Sequence, residues 1–260
     1  MTDWMPHMSG NLKEVVRVLV ALALPRAISD RASALRGTAF MARSAIRSWF
    51  GGKQPFVLVN IGTCDGVLYD DVTPWLHRIR DSRAVLVEPI PYNYTRLRKN
   101  YPDADRHAIE PVVITREAGS IMMRTFDETA LEAGTLPMEF VGCSSVKDTN
   151  LVSGMDAWGE QDPNFQNFTE HLKEIEVRSE RLETILERNG VDHIDVFLVD
   201  CEGADWEVFE QLDLQRWHPG MIKIEIGSLT AEDVGNTILK LKRAKYRIGL
   251  NAEDVWAFAA

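Results

Sequence analysis

Pro55-Phe-Val-Leu-Val-Asn-Ile-Gly-Thr-Cys-Asp-Gly66 is the stretch on which the fold turns. A short apolar, β-branched run of this kind reads as a buried strand, and it leads straight into a turn marked by Gly62 and Gly66. Glycine is needed where a chain must turn tightly and let a ligand approach its backbone, because no Cβ stands in the way. The spacing is Gly-x-x-x-Gly. It differs from the Gly-x-Gly-x-x-Gly pattern, whose following helix receives a pyrophosphate at its N-terminus. A ligand without phosphates suits this turn better, and the polar side chains of Thr63 and Asp65 match amino and carboxylate groups on such a ligand.

The next strand, Ala84-Val-Leu-Val-Glu88, ends in a carboxylate about 20 residues past the glycines, where one is expected to hold ribose hydroxyls. An ionised Glu accepts a hydrogen bond from each hydroxyl of a cis-diol. The plainer alternative is that Glu88 caps the helix that follows Pro91. Further strands are expected at 84–88, 107–113, 194–200 and 221–226 beside 56–61, separated by helical segments, which is the pattern of a parallel sheet with crossover helices. After Gly227 come a helix over 230–244, a strand from Tyr246 to Leu250, a polar turn at Asn251-Ala252-Glu253-Asp254, and a strand from Val255 to Ala259. That antiparallel hairpin is unlike an NAD-binding Rossmann domain and typical of class I methyltransferases.

Upstream, residues 11–24 and 29–49 carry apolar side chains at helical spacing, broken at Pro25 and stopped at Gly51-Gly52. Residues 1–50 therefore read as a helical extension and 51–260 as the catalytic domain. The extension covers a sheet edge, walls the substrate pocket or forms a homo-oligomer contact. Between 127 and 180 the periodicity weakens. That segment is either a solvated excursion with a helix near 164–173 or a lid over the acceptor pocket.

Charge narrows the partners. The 260 residues carry a net charge of −10, and residues 1–50 hold 7 Lys+Arg against 3 Asp+Glu, so the remainder is clearly acidic. Nucleic-acid binding needs clustered cations to displace counterions, so DNA or RNA is disfavoured as a partner. Cys64, Cys143 and Cys201 form no Cys-x-x-Cys pair, which argues against a zinc site or a disulfide framework and for a cytoplasmic setting. The apolar run Val15 to Leu24 is too short for a membrane span.

Three stretches resemble the FkbM family of methyltransferases: Val59-Asn-Ile-Gly-Thr-Cys-Asp-Gly66; Val87-Glu-Pro-Ile-Pro-Tyr-Asn93 with Leu97 and Asn100; and Ile194-Asp-Val-Phe-Leu-Val-Asp-Cys-Glu-Gly-Ala-Asp205 followed by Val208-Phe209. Cys143-Ser-Ser-Val146, Ser179–Leu186 and Ile222-Lys-Ile-Glu225 support it. The resemblance implies a Rossmann-like class I fold, S-adenosylmethionine as cofactor, and O-methylation of a sugar or specialised metabolite. It places Asn60, Gly62, Thr63, Asp65, Gly66, Glu88, Pro89, Ser145 and Asp200 around the cofactor. One departure stands out: the family's first strand ends in an acid, and here Asn60 stands in its place, keeping an acceptor oxygen without the charge.

Ligands of open parallel sheets bind beyond the carboxyl ends of the strands. Asp200, Glu202 and Glu225 lie there and are the candidates for catalysis, with Asp200 nearest the reacting methyl as base or as partner of the cofactor's amino group. Mg²⁺ held by the same three carboxylates is a further reading. His193 precedes its strand and belongs at the opposite edge. Two readings compete with methyl transfer to a small hydroxylated acceptor. One is an NAD-dependent oxidoreductase, which the position of Glu88 permits; the other is an inert scaffold that retains the fold.

Overall fold

The computed structural model describes residues 26–49, 55–68, 70–146, 170–251 and 253–260. The helix expected at 11–24 and the segment 147–169 fall outside them. In chain order the elements are α1 (Arg26–Trp49), β1 (Phe56–Ile61), a 3-10 turn (Thr73–His77), β2 (Ser82–Val87), α2 (Pro91–Asn100), β3 (His107–Glu110), β4 (Val113–Ile114), β5 (Gly119–Phe126) and α3 (Glu128–Glu132). A second 3-10 turn (Met138–Val141) leads on to β6 (Leu172–Glu180), α4 (Leu182–Arg188), β7 (Val196–Val199), α5 (Asp205–Phe209), β8 (Met221–Glu225), α6 (Ala231–Arg243), β9 (Arg247–Leu250) and β10 (Asp254–Phe258).

Seven strands form the main sheet in the order β3-β2-β1-β7-β8-β10-β9. The first five are parallel; β10 runs antiparallel to β8, and β9 antiparallel to β10. This is a class I methyltransferase-type Rossmann-like sheet, and the terminal hairpin enters with its second strand innermost. The order reverses between β1 and β7, which creates the crevice where ligands of such sheets bind.

Alternate residues of each strand feed opposite faces, as the period of two requires. Val57, Val59, Phe197, Val199, Ile222 and Ile224 are buried on one face with α4, α5 and α6. Leu58, Leu86, Val196 and Met221 are buried on the other with Met41 of α1 and Leu97 of α2. Full burial of each such side chain contributes about 1.5–3 kcal/mol. The helix α1 sits very close to the hairpin: a Cβ on Gly37 would stand 2.4 Å from the Trp256 ring, and one on Gly249 2.3 Å from Ser33 Oγ.

Two expectations need correction. The strand foreseen over 107–113 stops at Glu110, because Pro111 has no N–H to give the ladder. The chain then leaves the main sheet, and Val113–Ile114 enters a second sheet of order β4-β6-β5. The region 127–180 is accordingly not all excursion. Leu172–Glu180 is a nine-residue strand paired antiparallel with Gly119–Phe126, so the described end of the helix expected near 164–173 is instead the start of β6. Ile175 and Val177 alternate with charged neighbours, and this two-residue period prevails over the helical reading.

Candidate functional site

The first β–α turn is shaped by its glycines and then bolted in place. Gly62 adopts φ +82°, and a Cβ there would come 1.7 Å from the carbonyl oxygen of Asp200, so the close approach that demands glycine is that of β7's own backbone. Gly66, at φ +72°, backs onto the ring of Tyr101, whose hydroxyl donates to the Gly66 carbonyl at 2.7 Å. Asp65 accepts N–H groups from Val67 at 3.0 Å and Leu68 at 2.8 Å and pairs with Arg96 at 2.8 Å. Against burial, which works the other way, the Leu68 N–H, the Arg96 guanidinium and the Val67 N–H hold the Asp65 carboxyl below its usual range. Asp65 and Gly66 therefore build the turn from behind and do not line the cavity.

That cavity, of about 300 Å³, opens at the carboxyl ends of β1, β2, β7 and β8 and is walled largely by apolar side chains. Asn60, Gly62, Thr63, Glu88, Pro89, Asp200 and Glu202 all line it, so most of the residues proposed from sequence meet in one place. Ser145 lies just outside, its hydroxyl donating to the Glu202 carbonyl at 2.9 Å. Glu225 also stands outside the lining; its Oε1 accepts the Ser228 N–H at 3.2 Å, and its buried Oε2 has no hydrogen-bond partner among the described residues.

Glu88 is 4% exposed and clamps two backbone segments together, Oε2 accepting the Cys64 N–H at 2.9 Å and Oε1 the Ile90 N–H at 2.8 Å. The Asn93 side chain bonds to the same carboxylate, so of its four lone pairs one is left for a further donor. Burial pushes its pKa up to about 7, against the Ile90, Cys64 and Asn93 hydrogen bonds. Asp200 presents its carboxylate openly to the cavity, yet the protein around the cavity desolvates it, and with Asp205 and Glu202 nearby its pKa rises to about 8. Glu202, held at φ +49°, is pushed up to about 7 by burial and by Asp205. Glu225 reaches about 9 through burial and the charges of Asp205, Asp200 and Glu202.

The close acidic cluster differs from the one expected. Oxygens of Asp200, Asp205 and Glu225 lie within 4.8 Å of one another, with Asp205 in the place foreseen for Glu202. Asp205 is already committed, accepting the Cys201 N–H at 2.8 Å and the Gly203 N–H at 3.0 Å. Cys64 and Cys143 line the cavity as thiols, since burial pushes both up to about 12. His193 sits at the far end of β7, its Nε2 bonded to the Pro55 carbonyl at 3.0 Å.

Two charged lining residues escaped the sequence reading. Lys223 reaches the cavity from β8, 3.3 Å from Asp254, and against burial Asp254 and Asp200 hold its pKa up. A lysine inside the otherwise apolar run Met221–Ile224 was the signal for it. Asp70 lines the cavity as well and accepts Asn60 Nδ2 at 2.9 Å; nothing in its polar loop distinguishes it before folding.

A family model described as the methyltransferase FkbM domain matches residues 60–248, a span that runs from the end of β1 into β9 and takes in every lining residue. The chain belongs to the FkbM methyltransferase family. Membership sets aside the oxidoreductase reading, and the turn at Gly62 lies within the FkbM span. No curated protein matches the chain. Among solved structures it is similar to a methyltransferase FkbM from Methylobacillus flagellatus KT, at 12% identity and a TM-score of 0.48, over 78% of this chain and 44% of that one. The chain thus spans less than half of that protein's length. It is also similar to an O-methyltransferase from Bacillus cereus in complex with SAH, at 14% identity and a TM-score of 0.40, over 100% of this chain and 94% of that one. Among the described residues, no helix is long and apolar enough to cross a membrane.

Proposed function

We propose that this FkbM chain is an S-adenosylmethionine-dependent O-methyltransferase acting on a hydroxyl of a small molecule. The observation that carries the reading is the convergence of Gly62, Glu88 and Asp200 on one apolar-walled cavity at the strand ends. The lining fits the cofactor: Glu88 keeps acceptor capacity for a ribose hydroxyl, and Ile90, Val113 and Met123 supply apolar wall for an adenine. When bound, the cofactor supplies an electrophilic methyl on a sulfonium.

The chain's own part is alignment, exclusion of water and removal of a proton. In-line displacement from a sulfonium disperses charge, so positioning accounts for most of what an enzyme must add. An alcohol still has to lose its proton as attack develops. Asp200 is open to the cavity, with a pKa raised to about 8 by burial and its acidic neighbours, which matches a base working near neutral pH. Asp200 takes that proton, and Glu202 lies beside it on the same wall.

The test is to incubate the protein with methyl-labelled S-adenosylmethionine and a metabolite pool, and to identify the labelled product by mass. A labelled methyl ether supports the reading, and Asp200→Asn then lowers its rate of formation at least tenfold while the protein still melts cooperatively. Cofactor binding without transfer to any component would leave only the inert-scaffold alternative.

A further inference from the structure

Where the family places an acid at the end of the first strand, this chain has Asn60, and a carboxylate nevertheless lies against it. Asn60 is 4% exposed, and its Nδ2 donates to Asp70 Oδ2 at 2.9 Å and to Thr73 Oγ1 at 3.0 Å. Asp70 Oδ1 in turn accepts the N–H groups of Val72 and Thr73, both at 2.8 Å, and the Thr73 side chain also bonds to Asp70. Asn60, Asp70 and Thr73 thus form a closed ring of hydrogen bonds.

The ring settles which way the Asn60 amide faces. Its oxygen turned toward Asp70 would set an acceptor against a carboxylate, so the nitrogen faces the acid and both amide hydrogens are spent. The carbonyl oxygen Oδ1 is left over. It has no donor among the described residues, and Asn60 lines the cavity. Asp70 lines the same wall and holds the nitrogen of that amide; burial raises its pKa, while the Thr73 side chain, the Thr73 and Val72 N–H groups and Lys223 favour its charge. An amide whose N–H groups bond to an anion carries extra negative charge on its oxygen, because hydrogen bonds in a chain polarise one another.

We propose that Asp70, acting through Asn60, is the displaced carboxylate that recognises the α-ammonium of the cofactor's amino-acid end. This rests on the reading of the cavity as an adenosylmethionine site. Asp70 is a positioning residue: Asn60 makes the contact, and Asp70 fixes its orientation and supplies the charge. Lys223, paired with Asp254 at 3.3 Å, is the cation among the described residues that faces this region from β8, and it favours the ionised form of Asp70.

Calorimetric titration with S-adenosylhomocysteine and with 5′-methylthioadenosine tests this, because the two share adenosine and a thioether and differ in the amino-acid end. Asp70→Asn is expected to weaken S-adenosylhomocysteine at least tenfold while changing methylthioadenosine by less than about twofold, since the charge and the fixed orientation behind the ammonium contact are lost and the nucleoside pocket is untouched. The reciprocal exchange, Asn60→Asp with Asp70→Asn, rebuilds the same hydrogen bond with the charge moved onto the strand. It is expected to bring S-adenosylhomocysteine back to within about threefold of the starting affinity. Equal weakening of both ligands, no weakening of either, or failure of the exchange to rescue would overturn the proposal. A wild-type protein that binds neither ligand would instead bring down the adenosyl-site reading itself, and this inference with it.

Discussion

Glu88 carries two duties on one carboxylate, and substitutions separate them. Glu88→Ala removes the acceptor for the buried N–H groups of Cys64 and Ile90, each at a cost of about 1–3 kcal/mol, so it disturbs the fold as well as the ligand. Glu88→Gln keeps one acceptor and turns an N–H₂ toward the other partner. It is expected to weaken S-adenosylhomocysteine by about tenfold or more, through loss of a charge-assisted bond to the ribose, with a smaller loss of melting temperature than the Ala variant. Unchanged affinity in titration calorimetry would remove Glu88 from ribose binding. At this scale the sequence was legible where chemistry and position coincide. Glu88 and Asp200 follow strands, and strand ends are readable from apolar runs. Asp65 looked equally suitable because its type fits a polar ligand, but a side chain's direction in a turn depends on partners such as Arg96, 31 positions away.

Among the elements, the parallel strands were read to within a few residues because both faces are buried and the runs are continuously apolar. The second sheet went unread. Its strands are half-solvated, and β5 and β6 hold Arg124, Glu174 and Glu176 on the open side, so the apolar signal is halved. It matters to the site all the same: Val113 and Met123 pack with Val177 and with Ile90, the residue that Glu88 clamps. The contact of α1 with the hairpin yields a prediction of its own. Gly37→Val would drive a side chain into the buried Trp256 ring, overpacking that costs about 1–3 kcal/mol. A fall of about 2–4 °C in melting temperature per kcal/mol is expected for a chain of this size, and an unchanged midpoint would show that α1 does not pack tightly there.

For the molecule as a whole, the cavity and its surroundings concentrate carboxyl groups whose pKa values are raised: Glu88 and Glu202 to about 7, Asp200 to about 8 and, outside the lining, Glu225 to about 9. Unfolded carboxylates titrate near 4, so between that value and the raised ones the folded protein holds more protons than the unfolded chain. The stability these groups provide is therefore fully present at low pH and is lost as pH rises toward 9. The unfolding midpoint of the ligand-free protein is expected to fall between pH 6 and pH 9. Cationic S-adenosylmethionine favours the ionised carboxylates, so its affinity should rise over the same range with release of protons, and neutral-sulfur S-adenosylhomocysteine should show a shallower trend. Calorimetry in buffers of different ionisation enthalpy reads the proton count directly. Equal proton release for both ligands would show that the acidic cluster does not sense the sulfonium.

The contact of Gly62 with the Asp200 carbonyl bears on how genetics of this protein would be interpreted. Because the crowding there is between two stretches of main chain, every replacement injures assembly before it can touch catalysis. In a library scored only for accumulation of protein, with no demand for methyl transfer, position 62 would be as intolerant as the apolar interior, whereas Asp200 would accept Asn. Invariance at that glycine would then mark a mechanical joint between neighbouring strands.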